Sequence, residues 1–158
     1  YAKALDVLAK KTGMQGMIGG QVVDVQKTGE KLNEEELDFI YRLKTGALLE
    51  ASFMIGAIVG GAKQEEIDVM EEIARNIGMA FQIQDDILDE TSTEEELGKP
   101  IHSDERNVKT TYVTLYGLNK AKDEVLRCST EAQRLLDTIR GDTSVLKKMI
   151  VWLSMRRK

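Results

Sequence analysis

Three aspartates lie close together within residues 78–90 (GMAFQIQDDILDE), and carboxylates at this spacing are suited to metal chemistry. At the 100° per residue of an α-helix they share one stripe, which contains Gln82, Asp85, Asp86 and Asp89. Like charges three or four residues apart repel each other, yet no Lys or Arg lies within four residues of these aspartates. Clustered oxygen ligands without His or Cys favour Mg²⁺ or Ca²⁺ over Zn²⁺. The sequence therefore predicts a site for a hard divalent cation on this stripe.

Apolar residues border the acidic stripe on both sides, in a helical pattern that begins near Gln64. Phe81 and Leu88 lie on one side. The other side is an apolar face made up of Ile73, Ile77, Ala80, Ile83 and Ile87. Burying a carboxylate without compensation is costly, and the usual remedies are protonation or a bound cation. We therefore expect a helix whose apolar face is buried and whose aspartates meet a cation.

Composition narrows the class of protein. One Pro, 42% hydrophobic residues and 31% charged residues are typical of an all-helical protein, and 158 residues suffice for one domain. The net charge of -5 and the lack of a basic stripe argue against nucleic-acid binding. No uncharged apolar run reaches the roughly 18 residues of a membrane span, and no signal peptide is recognisable. The single cysteine, Cys128, suits a reducing compartment, so the cytoplasm is the expected location.

Four motifs occur together in a recognisable order. They are GMIGGQVVDV at residues 16–25, KTGALLEASFMIGAIVGGA at residues 44–62, FQIQDDILD at residues 81–89, and LGKP followed by KTTYVTLYGL up to residue 118. Together they resemble the trans-isoprenyl diphosphate synthases, or polyprenyl synthetases, of the bacterial short-chain type. The resemblance implies an all-α fold, the C-terminal half of an isoprenoid-synthase helical bundle. Residues 1–158 are then the C-terminal part of a single synthase domain whose first aspartate-rich motif lies outside this chain.

The resemblance also implies a reaction. An allylic diphosphate ionises, the double bond of isopentenyl diphosphate attacks the carbocation, and a proton is lost. Mg²⁺ is the implied cofactor, held directly by Asp85, while Asp86 and Asp89 assist through water or orientation. Gln82, one turn earlier, would position Lys44, Asp85 or the reacting carbons through hydrogen bonds.

Lys44 and Thr45 interrupt an apolar stretch that runs from residue 43 to residue 59. On spacing alone, Lys44 could simply extend its ammonium group to solvent. The resemblance instead implies a break in the helix, where Lys44 and Thr45 bind the allylic diphosphate. Gly46 would supply the backbone freedom that such a break needs.

Two further lysines are implied to bind diphosphate: Lys99 in the GKP turn and Lys109 in the KTTY stretch. We expect Ser103 or Asp104 to cap a helix that carries Lys109. His102 and Val113 depart from the family pattern, which commonly has Gly and Pro at those positions. The resemblance also implies that the glycine-rich segment, residues 13–20, lines the active cavity near Gln21 and Asp24. An equal alternative is that its glycines serve helix packing and that Asp24 is structural.

The remaining segments predict helices without chemistry of their own. Asn33 and Glu36 form a capping box for a helix that could run to Gly60. Further helices are expected over residues 119–140, with Cys128 as a packing residue, and over residues 145–155, capped by Asp142. The basic tail that starts at Arg156 complements a helix dipole. In some family members a similar tail closes over the second substrate.

Two other classes of function compete with the synthase. A terpene cyclase would keep acidic metal motifs, but is not expected to keep both the Lys44-Thr45-Gly46 and the Gly98-Lys99-Pro100 elements. A non-catalytic partner subunit of a heteromeric synthase would keep the fold alone. The resemblance implies a homodimer for the complete protein and no turnover by this chain by itself. KTGALLEAS favours a product of about 15 or 20 carbons.

Overall fold

The computed structural model describes residues 1–92 and 109–156, and these ranges are helical with short connections. One π-helical turn, Tyr41–Gly46, joins two of the α-helices into a continuous rod. The α-helices in chain order are α1 Ala2–Thr12, α2 Met17–Gln26, α3 Glu34–Ile40, α4 Ala47–Val59, α5 Gln64–Thr91, α6 Tyr112–Tyr116, α7 Leu118–Leu136 and α8 Ser144–Met155. The predicted all-α fold is confirmed for the described part of the chain.

Helix α5 is the central element, and it packs against α4, α7, α8, α6 and the π-helical turn. Its first half contributes Ile73 and Ile77 to a core shared with α7 and α8. Its second half contributes Ala80, Ile83 and Ile87 to a core shared with α3 and α7. All five residues of the predicted apolar face are buried, so that prediction is confirmed.

The helix predicted to start at Asn33 does so with the predicted capping box. The Glu36 N–H donates to Asn33 Oδ1 at 2.9 Å, and the Asn33 N–H donates to Glu36 Oε2 at 3.0 Å. The rod then continues to Val59, but it widens into the π-helical turn at the Lys44 and Thr45 positions. A π-helical turn is rare and needs tertiary support, and it often marks a functional site.

Two glycines explain how the π-helical turn is packed. A Cβ on Gly78 of α5 would lie 3.0 Å from the Cα of Gly46. A Cβ on Gly20 of α2 would lie 2.4 Å from the backbone nitrogen of Lys44. Gly46 itself has ordinary helical angles, φ -58° and ψ -43°. The expectation that Gly46 supplies unusual backbone freedom is therefore wrong. The glycines at this turn allow helices on two sides to approach its backbone.

Three predicted boundaries change in the structure. The helical pattern over the first 26 residues breaks between α1 and α2, and the helix expected over residues 119–140 ends at Leu136. Lys109 precedes α6 and is not helical, because α6 begins only at Tyr112 with Thr111 as its cap. Thr111 Oγ1 accepts from the Thr114 N–H at 3.1 Å. A hydroxyl one residue before a helix is a strong start signal, so the KTTY stretch contains its own cap.

Helices α1, α4 and α5 are tied together by four charged side chains. Glu50 of α4 is 4% exposed and is paired with Lys11 of α1 and with Arg75 of α5, the latter at 3.3 Å. Lys11 also contacts Glu71 at 2.5 Å. Burial lowers the pKa of Lys11, but its hydrogen bonds to Glu50 and Glu71 raise that pKa more, so the ammonium stays charged. We call these four residues the Glu50 cluster.

None of the helices in residues 1–92 and 109–156 combines the length and the apolarity that crossing a membrane requires.

Candidate functional site

Lys44 lies on the π-helical turn, where its ammonium contacts Asp24 of α2 at 2.6 Å. The side chain is 34% exposed, so it is held by a carboxylate and still reaches solvent. Gly20 allows this contact, because it brings α2 against the backbone of Lys44. Thr45 is partly buried beside it. The pairing of Lys44 with Asp24 was not predicted from the sequence and is a defined feature of the fold.

Asp85 is the accessible carboxylate of the acidic stripe, with a side chain that is 42% exposed. Its Oδ1 accepts from Nη2 of Arg156, the residue that follows α8. The Arg156 guanidinium carbon also lies 4.1 Å from the centre of the Phe81 ring, and the Gln84 amide donates to the Arg156 carbonyl at 3.3 Å. A cation of this chain thus occupies the position expected for a metal.

Asp86 faces inward and is 7% exposed. Its Oδ2 accepts from the Tyr41 hydroxyl at 2.5 Å and from the Tyr112 N–H at 2.8 Å. Tyr41 is the first residue of the π-helical turn, and Tyr112 is the first residue of α6. One carboxylate oxygen therefore joins three elements of the site: the turn that carries Lys44, the helix that carries Asp85, and the segment that follows Lys109.

The structure also gives the positions of Asp89, Gln82 and Lys109, the other predicted site residues that it describes. Asp89 is 7% exposed on α5, and Gln82 is partly buried one turn before the aspartates. Lys109 is exposed and lines a cavity of about 390 Å³ together with Asp24, the partner of Lys44. Lys99, His102, Ser103 and Asp104 lie outside the described residues.

The side chains available here suit a metal ion that takes only some of its ligands from the protein. In the described ranges, no three His, Cys, Asp or Glu side chains converge on a point where they could hold a metal ion. Mg²⁺ commonly takes one or two carboxylates and completes its octahedron with water and phosphate oxygens. Asp85, accessible and held by an exchangeable arginine, fits that role, whereas the inward-facing Asp86 Oδ2 already accepts two hydrogen bonds.

Two contributors to the site were not predicted from the sequence. Tyr41 carries no motif signal, since a tyrosine within an apolar helix reads as core. Complementing the helix dipole and closing over the second substrate are the two roles expected for the basic tail that starts at Arg156, and neither predicts that the Arg156 guanidinium contacts Phe81 and Asp85 of α5. This contact joins residues that are 71 positions apart, and the sequence pattern does not show how α8 is aligned with α5, so the contact could not be predicted.

The prediction that Cys128 is a packing residue is confirmed. Cys128 is buried in the core against α5, and burial raises the pKa of its thiol to about 12. A thiol that stays protonated is neither a nucleophile nor a metal ligand.

These features define an all-α protein with an acidic stripe facing a lysine-bearing helical turn. The family model of the polyprenyl synthetases matches residues 1–150. The chain belongs to the polyprenyl synthetase family.

Two curated relatives illustrate the similarity. The chain is 40% identical to the farnesyl diphosphate synthase of Geobacillus stearothermophilus over 144 residues, which are 91% of this chain and 48% of that protein. It is 44% identical to the heterodimeric geranylgeranyl pyrophosphate synthase large subunit 2 of Arabidopsis thaliana over 136 residues, 84% of this chain and 36% of that protein. The chain therefore spans less than half of the length of these relatives.

A solved structure agrees in fold. The geranyltransferase of Helicobacter pylori, complexed with magnesium and isoprenyl diphosphate, superposes with a TM-score of 0.78 at 33% identity. The match covers 96% of this chain and 50% of that one. The remaining half of that structure's residues has no counterpart here.

Proposed function

We propose that this chain is the C-terminal part of a Mg²⁺-dependent short-chain prenyl diphosphate synthase. The observation that carries the proposal is the joint placement of a cation and a carboxylate. Gly46 and Gly78 bring the Lys44 turn against α5, and Asp86 bonds Tyr41 of the turn beside the accessible Asp85. A lysine and a metal-binding carboxylate on neighbouring elements can together stabilise the charge on a departing diphosphate.

The substrate class follows from the relatives. Their names include farnesyl and geranylgeranyl diphosphate synthases, and one solved relative contains magnesium and an isoprenyl diphosphate. Isopentenyl diphosphate and an allylic diphosphate such as dimethylallyl or geranyl diphosphate are the proposed substrates here. A product of 15 or 20 carbons remains our prediction, and so does the cytoplasmic location.

The chain's own residues act on the allylic diphosphate. Lys44 donates to its oxygens once its ammonium leaves Asp24, with Thr45 as a neighbouring hydroxyl donor, and Lys109 approaches from the shared cavity. Lys99 is proposed as a further donor on resemblance alone. Gln82, on the acidic stripe one turn before Asp85, orients the reacting groups by hydrogen bonding.

Asp85 is the proposed carboxylate that holds the metal directly, with the less exposed Asp86 and Asp89 assisting through water or orientation. Bound Mg²⁺ supplies Lewis-acid neutralisation of the charge that builds up on the leaving diphosphate. Before that, Asp85 must exchange the Arg156 guanidinium for the ion. The apolar side chains around the stripe keep water away from the carbocation.

The complete synthase is, in our proposal, this chain together with the helices of the family fold that it does not contain. Exposed apolar side chains on α1 and α2 support this. On α1, Leu5 and Leu8 are 66% and 42% exposed. On α2, Val22 and Val25 are 46% and 61% exposed, and the members of each pair are three positions apart along their helix. We propose that these surfaces are covered in the complete synthase and that it forms a homodimer. The isolated chain is expected to show no turnover.

A non-catalytic role in a heteromer is the second candidate, and it is favoured by one observation: a relative is named as a subunit of a heterodimeric enzyme. That relative is the large subunit, and this chain keeps Asp85 and Lys44 in an ordered site. These residues favour the catalytic proposal.

The test is condensation of isopentenyl diphosphate with geranyl diphosphate by the complete synthase with Mg²⁺, comparing wild type with Asp85→Ala. The expected loss of rate is about 10³-fold. Asp68→Ala is the matched control, because Asp68 is an exposed aspartate in the first part of α5. Equal rates for wild type and Asp85→Ala would leave only a scaffolding role.

A further inference from the structure

We propose that Asp86 is a positioning residue that fixes the Lys44 turn through Tyr41, and that it is not a ligand of the metal. The inference rests on the proposed function and assigns separate tasks to the two adjacent aspartates. Asp85 is turned toward solvent and Arg156, whereas Asp86 is turned toward Tyr41 and Tyr112.

Burial excludes a hydrated ion from the inner face of Asp86. Asp86 is 7% exposed and Tyr41 is 3% exposed. A buried carboxylate is retained only when hydrogen bonds compensate for its lost hydration, and the two donors to Oδ2 provide this. The Tyr41 hydroxyl at 2.5 Å is a charge-assisted bond, which is about twice as strong as a neutral one.

The contact acts on the part of the chain that needs positioning. The π-helical turn is an intrinsically poor segment of helix, and glycines at positions 20 and 46 let neighbouring helices touch its backbone. Those contacts are steric and hold the turn close to α2 and α5. The Tyr41 hydrogen bond is directional, and Tyr41 precedes Lys44 by three residues on the same turn. It therefore couples the orientation of Lys44 to α5 at the residue next to Asp85.

The Tyr112 contact extends the same coupling. The Tyr112 N–H reaches the same Oδ2, and the hydroxyl of Thr110, two residues earlier, accepts from the Leu32 N–H at 2.9 Å. Lys109 directly precedes Thr110, so its backbone is next to these two hydrogen bonds. Asp86 thus holds the lysines on two separate segments in a fixed relation to Asp85.

The test uses Tyr41→Phe, which removes one hydroxyl and cannot affect a metal ligand directly. In the complete synthase we expect kcat/KM for the allylic diphosphate to fall about tenfold, the value of one hydrogen bond to a charged group. The Mg²⁺ concentration for half-maximal rate should not change. Tyr116→Phe is the matched control, because the Tyr116 hydroxyl interacts with Glu34 instead of Asp86.

A double-mutant cycle separates positioning from simple stabilisation. If Tyr41 acts through Lys44, then Tyr41→Phe should have no further effect on allylic kcat/KM in a Lys44→Ala background. Independent, multiplying effects of the two substitutions would overturn the proposal, as would an unchanged kcat/KM for Tyr41→Phe alone.

Metal binding provides a readout independent of turnover. Mn²⁺ titration followed by EPR, with inorganic pyrophosphate present, should give the same affinity for wild type and Asp86→Asn, because an amide oxygen can still accept from Tyr41 and Tyr112. Loss of Mn²⁺ binding in Asp86→Asn would show that Asp86 is a ligand and contradict the inference. A wild type that binds Mn²⁺ but condenses no substrates would instead contradict the proposed function.

Discussion

Helix α5 meets buried carboxylates in both of its halves, and the two halves compensate them differently. In the first half, Glu50 and Glu71 face Lys11 and Arg75, two negative charges against two positive ones. In the second half, Asp85 is paired with Arg156, and Asp86 accepts hydrogen bonds from two neutral donors, the Tyr41 hydroxyl and the Tyr112 N–H. The Glu50 cluster is thus charge-balanced and largely shielded, whereas Asp85 has a side chain that is 42% exposed.

The difference indicates what each half is for. The ion pairs of the Glu50 cluster join α1, α4 and α5. Its two negative charges are balanced by its own two positive charges, so it needs no external cation. Asp85 is accessible to solvent and can exchange its arginine for a dissolved cation, whereas the buried Glu50 is already paired with two cations. The accessibility of Asp85 is therefore the physical reason to expect a metal there and not at the Glu50 cluster.

The largest expected effect is on turnover. Lys44→Ala removes a donor to the departing diphosphate, so the rate of condensation by the complete synthase should fall about 10²- to 10³-fold. Its free energy of unfolding should change by less than about 1 kcal/mol, because the Lys44–Asp24 pair is partly exposed. Lys10→Ala, at an exposed lysine of α1, is the control. A large loss of stability without loss of rate would place Lys44 with the structural charges.

The Glu50 cluster should respond in the opposite manner. Glu50→Ala leaves Lys11 and Arg75 without their shared carboxylate and should lower the free energy of unfolding by about 2 kcal/mol. This is less than the roughly 3–5 kcal/mol for breaking a buried pair, because Arg75 keeps access to water. Urea denaturation measures the change, with the exposed Glu72→Ala as control. A loss of Mg²⁺ affinity in Glu50→Ala would break the division between the two halves.

A smaller effect concerns pH. The raised pKa of Lys11 means that its contribution to stability is complete below its ordinary value of 10.5 and is lost as pH rises through the higher value in the folded state. Lys11→Met should therefore be less stable than wild type by about 1 kcal/mol at neutral pH. The difference should shrink in strongly alkaline buffer. Thermal unfolding across this range tests it, and a difference that grows with pH would contradict the assignment.

The smallest effect is expected at Arg156, which pairs with Asp85. Arg156→Ala removes the competitor at Asp85, so the complete synthase should bind Mn²⁺ about two- to fivefold more tightly, the value of a partly exposed ion pair. Arg140→Ala, an exposed arginine outside the stripe, is the control. Weaker binding in Arg156→Ala would mean that the arginine supports the metal instead of competing with it.

Local patterns predicted the helices that build the site. The period of the apolar residues fixed the buried face of α5, and the Asn33 capping box fixed where α3 begins, because both depend on neighbours within one turn. The tertiary partners of the aspartates were not predictable in this way. Nothing in the residue types of Tyr41 and Arg156 specifies that one reaches Asp86 and the other Asp85, since both contacts depend on helix register. The resemblance supplied the identity of Lys44 as a candidate, whereas Gly20, Gly46 and Gly78 gave the packing reason.

The most direct test of the account is a Mn²⁺ titration of the complete synthase with inorganic pyrophosphate, comparing wild type, Asp85→Asn and Glu50→Gln by EPR. We expect Asp85→Asn to weaken Mn²⁺ binding by at least about tenfold and Glu50→Gln to leave it unchanged. Undiminished binding in Asp85→Asn, or an equal loss in Glu50→Gln, would contradict the claim that the metal site lies at Asp85 in the second half of α5.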